Sequence, residues 1–330
     1  MGRFLSSPNA ISVPYCVKVY ITVFADNDGS NRAATDANVL IKFQQMVSQY
    51  SNHGICFVLT GIRQINNSDL NIQDTGSEES EVFDLRITDC LNIFIHQQFT
   101  TPNLIGTAYE VLNNDAFLSL LGSAIDSPNF TTLMAHEVGH VFGLYHTFEI
   151  HPGDPFHGYE SVARTGDCAD CDVDGDLLCD TPADPNDSDG YLGNNTNASC
   201  IYTGTKLDEC DVLYTPAVNN IMTYGRDACK TIFTAGQGER MRYFIGTESG
   251  LQSVMTQNSS GIFFPITISS GISYGVARDV YTIQPASGSV IFNGTSNYTF
   301  QSKRVVLGAG TRLSPSVGGK IQIKENPYCN

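Results

Sequence analysis

The hydrophobic pattern of the first hundred residues predicts a buried sheet and one core-facing helix. Residues 17–25, VKVYITVFA, form a β-branched and aromatic run that is typical of a buried strand. Residues 55–62 and 91–99 have the same character, whereas the polar residues 66–80 are expected to form an exposed loop. A helix is predicted between Thr35 and Tyr50, with a core face formed by Val39, Phe43, Met46, Val47 and Tyr50.

A long helix is predicted after Asn129, where Asn129, Thr131 and Thr132 supply side chains suited to an N-cap. A further helix is expected at residues 233–244. The order strand, helix, strand, strand, long helix predicts an α+β domain, layered in the α/β manner, with a twisted mixed sheet. His96 is a lone histidine on the third strand, and we expect it to be structural or exposed rather than catalytic.

Residues 251–330 have a different pattern, with short apolar alternations interrupted by Gly, Ser, Asn and Pro. This pattern predicts a small all-β module, either a sandwich or a short β-coil, with an adhesive, sorting or structural role. The charge changes at the same place. The module carries six basic and two acidic residues, a net charge of +4. Because the whole chain has a net charge of −16, residues 1–250 carry −20. We therefore expect a domain boundary near residue 250.

Composition places the chain among globular proteins. Of its 330 residues, 41% are hydrophobic and 16% charged, and no stretch approaches the roughly 18 apolar residues of a membrane span. The net charge of −16 disfavours nucleic acid as a partner. Ten scattered cysteines favour disulfides in an oxidising, extracellular or cell-surface compartment, although a zinc knuckle or redox pair at Cys168 and Cys171 stays open. The first residues lack the apolar core of a signal peptide, so Met1 is expected to begin a fragment.

The segment HEVGHVFGLYH, from His136 to His146, carries the strongest chemical signal. On a helix, His136 and His140 lie one turn apart on the same face, where both imidazoles can bind one metal ion. Gly143 lets the backbone leave the helix, so that His146 can become a third ligand. Three histidines suit Zn²⁺, and Glu137 is placed to take a proton from water that attacks a carbonyl. A core helix that happens to carry histidines is disfavoured because the motif specifies five positions.

Between Arg164 and Lys206 the chain has no basic residue and nine aspartates. Such dense self-repulsion is costly unless water or a cation offsets it. The alternatives are a solvated acidic loop and a calcium site, and the run DVDGD from Asp172 to Asp176 favours calcium. The nine residues are Asp167, Asp170, Asp172, Asp174, Asp176, Asp180, Asp184, Asp187 and Asp189.

Four segments in order resemble the pappalysin family of metzincin zinc metallopeptidases. They are HEVGHVFGLYHTF, GDLLCDTPA at residues 175–183, NNIMTYGRDAC at residues 219–229 and FTAGQGERM at residues 233–241. The resemblance covers about residues 91–245 most closely and does not include the tail. It implies a metzincin-type catalytic domain in which Glu137 is general base and acid, and in which the zinc ligands are His136, His140 and His146.

The resemblance also implies a Met-turn at residues 219–224 and roles for the residues in and after it. Met222 would form an apolar floor beneath the metal, and Tyr224 would donate a hydrogen bond to the oxyanion of the tetrahedral intermediate. Asp227 matches the acidic residue at the base of the family's S1′ pocket, which implies cleavage before Arg or Lys. A surface-turn role for Asp227 is the alternative.

Calcium and two disulfides are implied in the same way. The calcium ligands would be Asp176, Asp180 and Thr181. Cys200 would pair with Cys229, and Cys210 with either Cys168 or Cys171. The other cysteines have no pairing that the sequence supplies, although Cys16 is expected in a disulfide.

The sequence therefore predicts a secreted zinc endopeptidase that acts on protein or peptide substrates, with Zn²⁺ as catalytic and Ca²⁺ as structural cofactor. One rival is a binding or adhesion protein with a vestigial or structural zinc site. Another is an exopeptidase, or an amidase acting on a non-protein substrate. Internal cleavage of peptides would separate the first interpretation from both rivals.

Overall fold

The computed structural model describes residues 14–87, 89–108, 116–150, 159–185, 192–256, 260–263, 267–268, 272–276, 280–283, 290–302 and 304–324. The chain divides into two compact units. Unit 1 contains the described residues of Leu40–Gly54 and Ser127–Ile245, and unit 2 those of Val13–Val39, Ile55–Asp126 and Gly246–Asn330. The boundary near residue 250 that the sequence suggests stays a prediction.

Among the described residues, strands alternate with helices up to residue 126, three helices follow, and nine strands come last. In chain order the strands are β1 (Tyr15–Ala25), β2 (Ile55–Asn66), β3 (Ile72–Gln73), β4 (Leu91–His96), β5 (Gln98–Phe99), β6 (Gly106–Ala108), β7 (Phe117–Leu121), β8 (Ser260–Phe263), β9 (Thr267–Ile268), β10 (Ile272–Val276), β11 (Val280–Ile283), β12 (Val290–Gly294), β13 (Asn297–Gln301), β14 (Arg304–Leu307), β15 (Thr311–Pro315) and β16 (Lys320–Lys324). The α-helices are α1 (Asp36–Tyr50), α2 (Ser68–Asn71), α3 (Glu79–Asp84), α4 (Gly122–Asp126), α5 (Leu133–Val141), α6 (Ala235–Thr247) and α7 (Ser249–Ser253).

Unit 2 is organised around a parallel sheet in which β1 is central. β1 pairs in parallel with β2 on one side and β4 on the other, β4 pairs in parallel with β7, and β6 is antiparallel at the edge. Strands β1 and β4 are buried along almost their whole length, which explains their continuous apolar runs. Phe24, Phe94 and Phe117, one each from β1, β4 and β7, form a buried cluster with Leu70 and Val82 from the segment between β2 and β4. The predicted strands and helix α1 are therefore present, and the fold is the expected α+β type.

Residues 66–80 were expected to form an exposed loop, and this expectation is wrong in part. The side chain of Asn67 accepts hydrogen bonds from the N–H groups of Asp69 and Leu70 and so caps helix α2. Leu70 is buried, and β3 pairs with β5 in parallel. Elements of two to four residues are too short to show a hydrophobic period, so no periodic pattern predicts them.

The C-terminal strands form a short parallel coil, one of the two all-β forms that the sequence allows. Every third strand stacks in parallel register, which gives three ladders: β8-β11-β14, β9-β12-β15 and β10-β13-β16. Its interior contains Ile283, Phe292, Tyr298 and Phe300. Strand β10 also pairs antiparallel with β2, so this part of unit 2 continues the main sheet.

Unit 1 holds α5, most of α6 and long irregular segments between them. Helix α5 spans nine residues, shorter than the long helix expected, because the chain turns away at Gly143. Its N-cap residue is Thr132, but no side-chain hydrogen bond caps the helix, so the expected hydroxyl cap is wrong. The buried Tyr50 hydroxyl donates to the carbonyl of Ala135 at 2.8 Å, and its ring contacts Phe142 and Phe233.

Three disulfides brace the irregular segments of unit 1. Cys200 is bonded to Cys229, and Cys210 is bonded to Cys168. The alternative pairing of Cys210 with Cys171 is wrong, because Cys171 is bonded to Cys179 across a turn with a Cα separation of 4.9 Å. Cross-links of this kind restrict the unfolded chain where regular secondary structure is sparse.

A fourth disulfide lies in unit 2 and joins Cys16 to Cys56, which face each other on β1 and β2. Cys90 is buried and is the one free thiol among the described residues. Cys329, Asp187 and Asp189 lie outside the described residues. Within the same described part of the chain, no helix is both long and apolar enough to cross a bilayer.

Candidate active site

Helix α5 and the turn after it bring three histidines together. His136 and His140 lie one turn apart on α5. At the end of the helix, the Gly143 N–H donates to the carbonyl of His140 and the Leu144 N–H donates to the carbonyl of Gly139. Gly143 has a φ of +83°, and a side chain there would collide with the ring of Phe244. A glycine is therefore needed at this position both for the backbone conformation and for space, and the resulting turn delivers His146 to the other two rings.

The three imidazoles converge through their Nε2 atoms. The Nε2–Nε2 separations are 3.2 Å between His136 and His140, 3.1 Å between His140 and His146, and 3.3 Å between His136 and His146. Tetrahedral ligation with Zn–N bonds of about 2.0–2.1 Å requires nitrogen separations of about 3.3 Å. The donor set therefore fits one zinc ion without rearrangement, and no other group of three His, Cys, Asp or Glu residues in the described part of the chain converges in this way.

The opposite nitrogen of each ring is already committed. His136 Nδ1–H donates to the carbonyl of Ile221 at 2.7 Å, and His140 Nδ1–H donates to the carbonyl of Leu144 at 2.9 Å. His146 Nδ1 lies 3.3 Å from the Glu149 carboxylate. Donation at Nδ1 selects the tautomer with a lone pair on Nε2, so each ring turns its acceptor nitrogen toward the shared centre.

Burial keeps the rings of His136 and His140 neutral. The pKa of His136 is well below its usual value because the ring is buried, and the neighbouring His140, His146 and Lys230 lower it further. Burial, assisted by His146, lowers the pKa of His140 to about 4. Neutral imidazole is the form that binds a metal ion, so these two rings need no deprotonation at neutral pH.

Glu137 is next to the first ligand on α5 and is 6% exposed. Burial raises the pKa of its carboxyl to about 8, and the positive charge of Lys230 partly offsets this rise. Because burial disfavours the ionised form, the carboxylate is a stronger base than an exposed glutamate. It is therefore suited to exchange a proton with water near neutral pH.

The Met-turn lies beneath the histidines. Met222 is fully buried, and its N–H donates to the side chain of Asn220 at 2.8 Å. Its sulfur packs against Gly139 of α5, where a Cβ would stand 2.8 Å from Sδ. The carbonyl of Met222 accepts from the N–H of Thr147 at 3.3 Å, so this turn is joined to the segment that carries His146.

Tyr224 stands beside the histidine cluster on the exposed side. Its ring centroid is 4.7 Å from that of His146 and 6.0 Å from that of His136, and the residue is 40% exposed. Phe148 stacks on His146 at 4.8 Å and contacts Tyr224 at 4.7 Å. Phe148 was not predicted, because an aromatic residue two positions after a ligand carries no recognisable spacing.

Two threonines share one buried acid behind the site. The Asp184 carboxylate accepts hydrogen bonds from the Thr147 and Thr223 hydroxyls, both at 2.7 Å. Thr147 follows the third histidine, and Thr223 follows Met222. Asp184 therefore ties these two segments together, a role that could not be separated from the surrounding acidic run in the sequence.

Asp227 lies in the turn that follows Tyr224 and forms an ion pair within the chain. Lys230 Nζ is 2.6 Å from its Oδ1, and the exposed fractions of the two side chains are 25% for Asp227 and 10% for Lys230. Asp227 is predicted by the family resemblance, whereas no motif in the sequence predicts its partner Lys230. The pairing follows from a spacing of three residues within a turn.

The acidic segment, taken as Glu160 to Asp184, contains buried carboxylates, among them those of Glu160 and Asp176. Thr181 is also buried, and a carboxylate oxygen of Glu160 lies directly against Gly175. Burial raises the pKa of Glu160 to about 9 and that of Asp176 to about 7. Asp180 is placed differently, because its carboxylate accepts from the Thr234 hydroxyl and the Gly236 N–H at the start of α6.

The first half of the chain is similar to a known peptidase family. Residues 17–180 match Reprolysin_5, described as metallo-peptidase family M12. An extracellular metalloprotease of Sordaria macrospora is 26% identical over 243 residues, which cover 69% of this chain and 74% of that protein. An extracellular metalloprotease of Podospora anserina is 28% identical over 243 residues, which cover 69% and 72%.

Human pappalysin-1 is 28% identical over 167 residues, which cover 47% of this chain and 9% of that much longer protein. Among solved structures, mature mirolysin of Tannerella forsythia in complex with a cleaved peptide superposes with a TM-score of 0.54 at 19% sequence identity. The superposition covers 74% of this chain and 96% of mirolysin. At this identity the likeness establishes the fold.

Proposed function

We propose that this chain, which belongs to the metzincin zinc metallopeptidases and resembles the pappalysins, is a secreted endopeptidase that cleaves within proteins or peptides. The observation that carries the proposal is the convergence of three histidine Nε2 atoms, 3.1–3.3 Å apart, beside the buried Glu137. The relatives named extracellular metalloprotease support export of the protein.

His136, His140 and His146 would hold the zinc ion. When bound, zinc supplies Lewis-acid polarisation of a carbonyl and makes water more acidic. Glu137 would accept the proton of the attacking water and deliver it to the leaving amine, for which a pKa near neutrality is suitable. Tyr224, beside His146, would donate a hydrogen bond from its phenolic hydroxyl to the oxyanion that develops at the scissile carbonyl.

The test is Glu137→Gln in the zinc-loaded protein, with Glu209→Gln, at an exposed position of the same unit, as a control for loss of a carboxylate. We expect Glu137→Gln to keep stoichiometric zinc and lose at least about 10²-fold in kcat, because the proton acceptor is gone. We expect Glu209→Gln to retain most of its activity. Undiminished cleavage by Glu137→Gln would refute the mechanism.

Mass spectrometry of digested peptides separates the rivals. Internal cuts support the endopeptidase proposal, and release of single terminal residues indicates an exopeptidase. Zinc binding without any cleavage, in a folded sample, indicates a binding protein with a structural zinc site.

We also propose a preference at P1′, the substrate residue on the leaving-amine side of the cleaved bond. Asp227 would lie at the base of the S1′ pocket and attract Arg or Lys at P1′. Two observations support a position near the catalytic groups. Asp227 is paired with Lys230, and the charge of Lys230 acts on both Glu137 and His136.

Calcium is proposed as a structural cofactor of the acidic segment, with Asp176 and Thr181 as ligands and Glu160 as an added one. The Glu160 Oε2 atom has no hydrogen-bond donor among the described residues, and its Oε1 pairs with Arg164 Nη1 at 2.9 Å. Buried carboxylate oxygens with free lone pairs are the ligands that Ca²⁺ takes. Asp180 stays a predicted ligand, although both of its oxygens already accept hydrogen bonds at α6.

A further inference from the structure

We infer that Lys230 is a specificity-determining residue that competes with the substrate for the Asp227 carboxylate. This inference rests on the proposed function, in which Asp227 contacts the P1′ side chain. The Lys230 ammonium would occupy the position that a basic P1′ side chain needs, so that the pocket of this chain is charge-balanced before substrate arrives.

The pair is held in place by its surroundings. The Nζ–Oδ1 distance is 2.6 Å, and only 10% of the Lys230 side chain is exposed. The two residues belong to one turn, in which the Lys230 N–H donates to the Asp227 carbonyl at 3.3 Å and Cys229 is anchored by its disulfide to Cys200. A pair of this kind loses less side-chain entropy than a surface ion pair and persists more.

Two other basic side chains near Asp227 have different partners. Burial lowers the pKa of Lys42 and the Asp227 charge partly offsets this, but the Lys42 ammonium donates to the carbonyls of Ser127 and Phe130 at 2.7 and 2.9 Å. Arg226 donates from Nη1 to the carbonyl of Thr196 at 3.4 Å. Lys230 is thus the cation that pairs with Asp227. The turn that carries this pair follows Tyr224, whose ring centroid is 4.7 Å from that of His146.

Displacement of Lys230 has a consequence for substrate choice. A P1′ lysine would replace the Lys230 ammonium at Asp227 with its own ammonium, so its binding free energy would gain little. A P1′ arginine offers a planar, bidentate donor and competes more effectively for a carboxylate. We therefore expect the protein to favour Arg over Lys at P1′ and to show only a modest preference for Arg over a neutral residue.

The experiment uses the zinc-loaded full chain and three peptides that differ only in Arg, Lys or Leu at P1′. The variants are Lys230→Met, Lys230→Gln, Asp227→Asn and the double variant Lys230→Met/Asp227→Asn. Lys320→Met, on the C-terminal coil, controls for loss of a lysine elsewhere. We expect Lys230→Met to raise the Arg-to-Leu ratio of kcat/KM roughly tenfold, the equivalent of removing one partly buried competing charge. Lys230→Gln should act in the same direction if Lys230→Met folds poorly.

If Lys230 acts through Asp227, the rise in the Arg-to-Leu ratio should vanish in the double variant. Lys320→Met should leave the ratio unchanged. An unchanged Arg-to-Leu ratio in both Lys230 variants, while Asp227→Asn lowers it, overturns this inference and leaves the S1′ proposal intact. If Asp227→Asn has no effect on any ratio, the S1′ role and this inference both fail. If none of the folded, zinc-loaded proteins cleaves a peptide, the proposed function itself is wrong.

Discussion

Gly139 and Met222 are in direct contact: a Cβ at Gly139 would lie 2.8 Å from the Met222 sulfur and 3.4 Å from Leu144 Cδ1. The glycine sits on α5 between His136 and His140, and the methionine is completely buried. The close approach of residues 219–224 to helix α5 thus depends on the absence of a side chain at one helical position.

Gly139→Ala should therefore be destabilising, although Gly→Ala within a helix normally stabilises by up to about 1 kcal/mol. Overpacking against a buried side chain costs about 1–3 kcal/mol, which outweighs the helical gain. Urea unfolding and kcat/KM measure the effect. The double variant Gly139→Ala/Met222→Ala should lose less unfolding free energy than the sum of the two single variants, because the shorter side chain at 222 restores the space. A Gly139→Ala protein as stable as wild type would contradict this packing argument.

Asp184→Ala should weaken both stability and zinc binding. The Thr147 and Thr223 hydroxyls, each 2.7 Å from the carboxylate, would lose their acceptor in a buried place. Two such losses cost about 2–4 kcal/mol. Because the two threonines flank His146 and Met222, we also expect zinc affinity to fall about tenfold, measured by competition with a chelator. Asp184→Asn, which keeps one acceptor oxygen, should be milder. Unchanged zinc affinity in the alanine variant would show that the brace does not position the site.

Calcium should raise the melting temperature more at pH 8.5 than at pH 5.5. The pKa of Glu160 is raised to about 9 and that of Asp176 to about 7, so in the folded chain both favour the protonated form. Their contribution to stability is complete at pH below the unfolded pKa values of roughly 4 and is lost as pH rises through about 7 and 9. A cation compensates the charge in that upper range.

The matched variants for this calcium experiment are Glu160→Gln and Asp167→Asn. Glu160→Gln removes one buried carboxylate, and we expect it to reduce the calcium-induced shift in Tm. Asp167 is exposed in the same segment, and Asp167→Asn should keep the full shift. If calcium leaves Tm unchanged at pH 8.5 in the wild-type protein, the segment is a solvated acidic loop.

His96 should make the protein less stable as pH falls from about 6.5 to about 4. The ring is fully buried, with Nδ1 2.6 Å from the Leu70 carbonyl and Nε2 3.1 Å from the Ser119 hydroxyl. Burial lowers its pKa to about 4. The unfolded chain therefore binds a proton first, and up to roughly 3 kcal/mol of stability is lost across this window.

Unfolding curves of the wild type and of His96→Gln at pH 7, 5.5 and 4.5 measure this effect. The difference in unfolding free energy between the two proteins should be largest at pH 7 and shrink toward pH 4.5, because glutamine does not titrate. A constant difference over this range would mean that His96 does not contribute to acid destabilisation.

The sequence by itself determined the local features of the molecule. Helical spacing of four residues put His136 and His140 on one face, and Gly143 marked the turn that brings in His146. Continuous apolar runs identified the parallel strands, since β1 and β4 are buried on both sides. These features depend on neighbours within one or two turns of chain, so periodicity and residue type were sufficient to predict them.

Only the tertiary structure decided the contacts between distant segments. Asp184 holds threonines 37 and 39 residues away, and Cys16 meets Cys56 because two strands pair in one register. The choice between Cys168 and Cys171 for Cys210 was likewise decided in space. Long irregular segments have no hydrophobic period, so their side chains find partners through the packing of the whole unit, which a one-dimensional pattern does not encode.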